Sequence, residues 1–219
     1  MRRISKGSEP QVLIDNKDSW KSALDDNPSN HNKKKYRHPD IKKALLDETY
    51  NKCVYCESKI GHNCPGDIEH KIPKSKELDL IFEWNNMTIV CNECNRRKSD
   101  YYDPACMFLD PYTDNVEDLV LHYGPFVFSL PGNKRSEITV RILELSSNTV
   151  RKSLIGRKIE KLENINHLIE RIAVENNAII KDFLWKILSE SCNISAEYSG
   201  MVKTYVELTC PHKGYHSLS

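Results

Sequence analysis

Residues 53–98 read CVYCESKIGHNCPGDIEHKIPKSKELDLIFEWNNMTIVCNECNRRK, and the two Cys-x-x-Cys pairs that bracket this stretch decide how it folds. Cys53 and Cys56 form one pair, Cys91 and Cys94 the other. A two-residue gap lets both thiolates of a pair turn toward one tetrahedral ion, and two such pairs complete a closed four-sulfur site. Thiolate softness and tetrahedral geometry select Zn²⁺. With every position filled by protein, that ion is structural, joining the ends of a segment too short to build a core alone.

Inside and just after this frame stand groups that can hydrolyse a phosphodiester. Asp67-Ile68-Glu69-His70 leads into Pro73-Lys74, Trp84-Asn85-Asn86 precedes an apolar run into Cys91, Asn95 follows Cys94 directly, and Lys98 lies three residues on. An attacking water needs a base with a pKa near neutrality, and imidazole comes closest. The phosphate and the leaving oxygen need a hard cation, which takes oxygen ligands. Glu69 offers a carboxylate and Asn95 a side-chain carbonyl for Mg²⁺ or Mn²⁺. Neighbours on an extended segment face opposite ways, so Glu69 and His70 can address the metal and the water from different sides.

Outward from this core the patterning changes. Residues 1–38 are polar and broken by Gly7, Pro10 and Pro28, and read as an irregular arm with one short helix around Trp20–Leu24. Pro39-Asp40 opens a helix, with Asp40 as the expected N-cap and Ile41, Ala44 and Leu45 on one face. Residues 119–123 and 126–130, separated by Gly124-Pro125, predict a hairpin. Residues 138–145 are ambiguous, because β-branched content favours a strand while the spacing tolerates a helix. From Asn148 apolar residues recur at helical spacing, with an interruption at Asn176-Asn177 and a second run to Leu188.

Composition limits the function classes. Thirty-nine per cent hydrophobic and 29% charged residues are an ordinary globular balance. No run of 18 apolar residues exists to span a membrane. Met1–Gly7 has no apolar stretch behind it, so no signal peptide is expected and a cytoplasmic location follows by default. Eight cysteines in such a chain point to metal binding rather than disulfides. A net charge of +1 is low for a stand-alone DNA binder, so either basic residues cluster locally or another chain supplies grip. Residues 31–43 do cluster Lys33, Lys34, Lys35, Arg37, Lys42 and Lys43 against one acid, Asp40, though a solvated face explains that run equally well.

Together the paired cysteines, Ile68-Glu69-His70 with Pro73-Lys74-Ser75, Trp84-Asn85-Asn86 and Cys94-Asn95 with Lys98 resemble the cysteine-framed branch of the HNH nuclease superfamily. The resemblance implies an α+β fold: a zinc-stapled ββα-metal nuclease module over 39–115, after the arm at 1–38. A mainly helical region over 116–219 would dock a partner or dimerise the chain. His70 would be the general base, Glu69 and Asn95 the ligands of a catalytic Mg²⁺ or Mn²⁺, and Asn86 the catalytic-loop brace. Asn95 stands where histidine is commoner, a departure that favours hard ions. The products would carry 5′-phosphate and 3′-hydroxyl ends. Arg96, Arg97 and Lys98, following Asn95 on a helix, would hold flanking phosphates.

The opening MRRISKGSEP, Cys53-Val-Tyr-Cys56-Glu57, Asp103-Pro104 and Leu109-Asp110-Pro111 extend the likeness. With the motifs above they are similar to the PtuB family, HNH subunits of Septu-type anti-phage systems that also accompany some retrons. That similarity implies an ABC-class ATPase partner and a role in phage defence, with DNA as the default substrate and RNA as the alternative. A rival reading is a zinc-knuckle adaptor that binds nucleic acid or protein and cuts nothing; it accounts for the cysteines and leaves Glu69, His70, Asn86 and Asn95 without a reason. Cys64 and His62 are expected to stay off the metal, Cys106 and Cys192 to be buried thiols, and Cys210, His212 and His216 to belong to a disordered or docking tail. Asp100, Asp103 and Asp110 suit turns and caps, and Asp67 is the reserve supporting acid.

Overall fold

The computed structural model describes residues 1–61 and 64–210. At its centre β1 (Asp67–His70) pairs antiparallel with β2 (Met87–Val90), and α3 (Asn92–Lys98) follows at once. The register sets Asp67 opposite Val90 and His70 opposite Met87. All four residues of β2 are buried, so this strand is the floor on which the rest packs. Gly66 leads into β1 at φ +67°, and a Cβ there would come within 2.8 Å of Ile60. Only glycine meets both demands without strain.

The N-terminal segment is more ordered than its composition suggested. The expectation of an irregular arm over 1–38 with a short helix at Trp20–Leu24 is overturned by a 16-residue helix, α1 (Gln11–Asp26), and a 3₁₀ segment, Asn32–Arg37. Leu13, Trp20 and Leu24, spaced by seven and four residues, share one face of α1; Leu13 and Leu24 are buried and Trp20 packs 5.7 Å from the Phe82 ring. A few apolar positions suffice because α2 (Pro39–Glu48), the 3₁₀ segment and Phe82 supply the opposing surface. The cap of α2 also differs from expectation. Pro39 occupies the first helical turn, where its missing N–H costs nothing, so the cap moves back to His38, whose Nδ1 accepts from the Asp40 amide at 3.2 Å.

Beyond the ββα unit, β3 (Val120–Tyr123) and β4 (Phe126–Ser129) form the expected hairpin, with Leu121 opposite Phe128. The ambiguous 138–145 stretch is mostly helical: α4 (Lys134–Ile142) is capped by Asn133, which accepts from the Ser136 amide at 2.8 Å. Two long helices follow, α5 (Lys152–Val174) and α6 (Ala178–Cys192), the latter capped by Asn177. A further helix, α7 (Ser199–Thr209), has no counterpart in the sequence reading. It buries Met201, Val202 and Val206 and packs on β3 and α6. No helix among the described residues is long and apolar enough to cross a membrane.

Two sets of buried polar links lock these parts together. Lys52 donates to the Ala196 carbonyl at 2.9 Å, and Ser58 shares a 3.1 Å hydrogen bond with Tyr198, joining the first cysteine pair to the approach of α7. On the other side Lys6 lies 3.7 Å above the Trp84 ring, donates to the Met87 carbonyl at 2.8 Å and pairs with Glu48 at 2.9 Å. Tyr112 also reaches Glu48, whose side chain is only 3% exposed. Burial lowers the Lys6 ammonium to about 8, opposed by Glu48. A Lys6→Met substitution removes the counter-charge of a buried carboxylate. It is expected to cost about 2–4 kcal/mol in urea unfolding, and a change under about 0.5 kcal/mol would show the pair to be dispensable.

Candidate active site and zinc centre

Cys53, Cys56, Cys91 and Cys94 converge in one buried cluster whose sulfurs all lie within 4.8 Å of one another. Cys91 precedes α3 and Cys94 sits inside it, so the helix start fixes the second pair. A tetrahedral ion with metal–sulfur bonds of about 2.3 Å requires sulfurs about 3.8 Å apart. Cys56 and Cys91 stand at 3.7 Å. The donor set therefore fits Zn²⁺. Arg151 lies 3.6 Å from Cys94 and is 5% exposed, a buried cation that favours thiolates over thiols. Nothing in the sequence marked this arginine, since only the tertiary packing of the α5 entrance brings it there.

His70 ends β1 and Glu69 precedes it, and the strand's alternation sends them in different directions. Glu69 reaches toward α3, where Lys98 pairs with its Oε1 at 2.5 Å, while Lys98 also donates to the His70 carbonyl at 3.0 Å. The second Glu69 oxygen has no partner among the described residues. Burial pushes the Glu69 carboxyl upward and Lys98 opposes this. His70 instead meets the loop between the strands: its Nε2 lies 2.9 Å from the Ile81 carbonyl oxygen. A carbonyl only accepts, so Nε2 carries the hydrogen and Nδ1 keeps the lone pair. Burial lowers His70 to about 4, against the Ile81 hydrogen bond, so the ring stays neutral at ordinary pH.

Asn86 braces that same loop. Its Oδ1 accepts from the Ile72 amide at 2.8 Å, and its Nδ2 donates to the carbonyls of Ile72 at 3.0 Å and Leu80 at 3.2 Å. Such bonding fastens Ile81, and through it the imidazole. Asn95, on α3, donates from Nδ2 to Asp67 at 3.0 Å. Because a carboxylate only accepts, the amide nitrogen must face Asp67, leaving the Asn95 carbonyl oxygen for a cation. Glu69, His70, Asn95 and Asp67 line one cleft of about 400 Å³. Its free oxygen donors fit a hard divalent ion.

The three cations expected to hold flanking phosphates part company. Arg96 remains exposed, 3.2 Å from Glu93. Arg97 is 6% exposed and pairs with Glu144 at 3.0 Å, so it serves the packing of α3. Lys98 is 2% exposed and belongs to Glu69, a correction imposed by the 3.6-residue period, which turns position 98 inward beside the strand. Tyr36 was missed altogether: its ring meets His70 edge-on at 4.6 Å. Cys64 lies outside the sulfur cluster, 3.9 Å from Asn92. Cys106 is buried, whereas Cys192 is only half-buried. His62, His212 and His216 lie outside the described residues.

Residues 53–101 match the HNH endonuclease family model. The chain is 30% identical over 146 residues to the Septu protein PtuB of Bacillus thuringiensis, covering 64% of this chain and 56% of that protein. It is 32% identical over 83 residues to the Septu protein PtuB of Bacillus mycoides (strain KBAB4), covering 32% and 28%. The chain thus spans at most a little over half the length of the curated relatives it matches.

Two outcomes test this geometry. Purified protein should hold one zinc per chain by elemental analysis, and Cys94→Ala should release it and abolish cooperative unfolding; a zinc-free chain that melts cooperatively would contradict the sulfur site. Lys98→Met should cost about 3–5 kcal/mol in urea unfolding, because it strands a buried carboxylate. Wild-type stability in that variant would show Glu69 to be neutral and unpaired.

Proposed function

We propose that this chain, whose residues 53–101 match the HNH endonuclease family model, hydrolyses phosphodiester bonds of nucleic acid, DNA foremost, in a divalent-metal-dependent reaction. We propose further that it is the nuclease subunit of a Septu-type defence system. The likeness to two Septu PtuB proteins supports that role, and an ABC-class ATPase is the partner that the resemblance implies.

The observation that carries the reading is the fixed tautomer of His70. With Nε2–H held by the Ile81 carbonyl, Nδ1 is free to take a proton from water. The deprotonated water attacks phosphorus, and the bond from phosphorus to the 3′ oxygen breaks. That oxygen leaves, taking a proton from solvent to become a 3′-hydroxyl opposite a 5′-phosphate, while His70 later returns its proton to solvent. Asn86 keeps the base in place by fastening its loop, and Lys98 holds one oxygen of Glu69 so that the other keeps its direction. A Mg²⁺ or Mn²⁺ ion held by Glu69 and Asn95 would stabilise the charge that develops on the phosphate and the leaving oxygen. A zinc-knuckle adaptor would need none of this arrangement around His70.

His70→Ala removes the base and leaves the metal ligands intact, so it should slow cleavage of plasmid DNA by about two to four orders of magnitude. Chelation should stop wild-type cleavage, and Mg²⁺ or Mn²⁺ should restore it. Parallel assays on duplex DNA, single strands and RNA name the substrate. A His70→Ala protein as active as wild type sinks the assignment.

A further inference from the structure

The cleft that holds His70 has a second wall, and that wall comes from the N-terminal segment. Tyr36 and Arg37 from the 3₁₀ segment Asn32–Arg37, and Lys42 from α2, line it together with Lys74 from the loop after β1. Tyr36 is buried with its ring against His70, so this wall is fixed relative to the base. The Tyr36 hydroxyl oxygen accepts from Lys74 Nζ at 3.3 Å and from Arg37 Nε at 3.4 Å. Ammonium and guanidinium groups have no lone pairs to offer, so the phenolic hydrogen finds no acceptor in either and is left to donate elsewhere.

Charge in the cleft is distributed unevenly. Among the described residues neither Arg37, Lys42 nor Lys74 has a carboxylate within ion-pairing distance. The acids of the same cleft are engaged: Glu69 with Lys98, Asp67 with Asn95 and Asp100 with Lys76 at 3.8 Å. Three cations without a carboxylate at ion-pairing distance and one free hydroxyl hydrogen therefore face a space beside the general base. The run continues along the 3₁₀ segment, where Lys34 and Lys35 border an adjacent hollow with Asn30 and His31.

We propose that Tyr36, Arg37, Lys42 and Lys74 form the phosphate-binding wall of the cleft. They would grip the backbone phosphates that flank the scissile bond, whatever the base sequence. This rests on the nuclease reading for the identity of the polyanion. Arg37 and Lys74 bind phosphate oxygens while the Tyr36 oxygen holds both in place, and Lys42 extends the wall. The cations of α3 do not take this part, since Arg97 and Lys98 are spent on Glu144 and Glu69. The low net charge of the chain is thus compatible with a short, local track.

The test measures binding apart from cleavage. The His70→Ala chain, expected to cut too slowly to disturb a titration, is titrated with a fluorescein-labelled duplex and the matching single strand across a salt series. Replacing Arg37, Lys42 and Lys74 together by alanine should weaken binding at least about tenfold near 100 mM salt. It should also flatten the slope of log affinity against log salt by about three, close to one per lost phosphate contact. Tyr36→Phe should weaken binding a few-fold with the slope unchanged. Lys152→Ala with Arg157→Ala, exposed cations on α5 away from the cleft, should change neither quantity. The proposal is overturned if the triple variant, shown folded by its melting curve, keeps the parental slope, if the α5 control loses as much, or if the parent binds without salt dependence. Cleavage by the otherwise native chain with Mg²⁺ is read separately. A slope that falls while that chain cuts nothing leaves the phosphate wall standing and removes the nuclease reading; cleavage with an unmoved slope does the reverse.

Discussion

Everything in the site hangs on four sulfurs. Cys53 and Cys56 are separated in sequence from Cys91 and Cys94 by the whole of β1, its loop and β2, and their convergence closes that segment on itself. A two-stranded ribbon and a seven-residue helix bury too little to hold their shape in water. A metal bound only by the folded state contributes its binding free energy to folding. Once the frame closes, β1 can lie across α3, and only then do Glu69 and Asn95, on different elements, share a cleft. Arg151 and the approach to α7 add packing around the sulfurs, so the helical region supports the frame as well as the protein's outer surface.

A second constraint is the management of buried charge. Glu69, Lys98, Lys6 and Glu48 are all withdrawn from water, and each has a partner at hydrogen-bonding distance. For structural purposes hydrophobic replacements would serve as well or better. Glu69 and Lys98 are different in kind, because the carboxylate uses one oxygen for the ammonium and keeps the other unengaged. His70 obeys the same logic in its neutral form: one nitrogen is tied to a carbonyl and the other is left open. Asn95 repeats it, with the amide nitrogen on Asp67 and the oxygen unspent. Three neighbouring side chains each anchored by one polar atom and free at another describe a preorganised site.

The placement of the core residues was legible because it depends on spacing. The cysteine pairs, Glu69, His70, Asn86 and Asn95 are close in sequence to the elements that present them, and short-range geometry carries their meaning. The hairpin and the two long helices were legible for the same reason, from Gly124-Pro125 and from apolar periodicity broken at Asn177. What was not legible depended on contacts between distant segments. α1 has too few apolar residues to declare itself and is held by α2, the 3₁₀ segment and Phe82; α7 draws its burial from β3 and α6. Tyr36 against His70 and Arg151 against Cys94 join residues far apart in the chain, and no local pattern announces them. Lys98 was visible as a residue, but its inward direction came only with the register of α3 against β1.

We propose that one chain sorts two ions by donor chemistry, a soft-ligand site that builds the fold and a hard-ligand site that would serve the reaction. Crystals grown with Mn²⁺ and measured at the zinc and manganese absorption edges address this directly. The expected result is a zinc peak enclosed by Cys53, Cys56, Cys91 and Cys94, and a manganese peak in the cleft bonded to Glu69 and Asn95 with His70 Nδ1 unligated. Manganese absent from the cleft at saturating concentration, or bound there through His70 in place of Glu69, would contradict it.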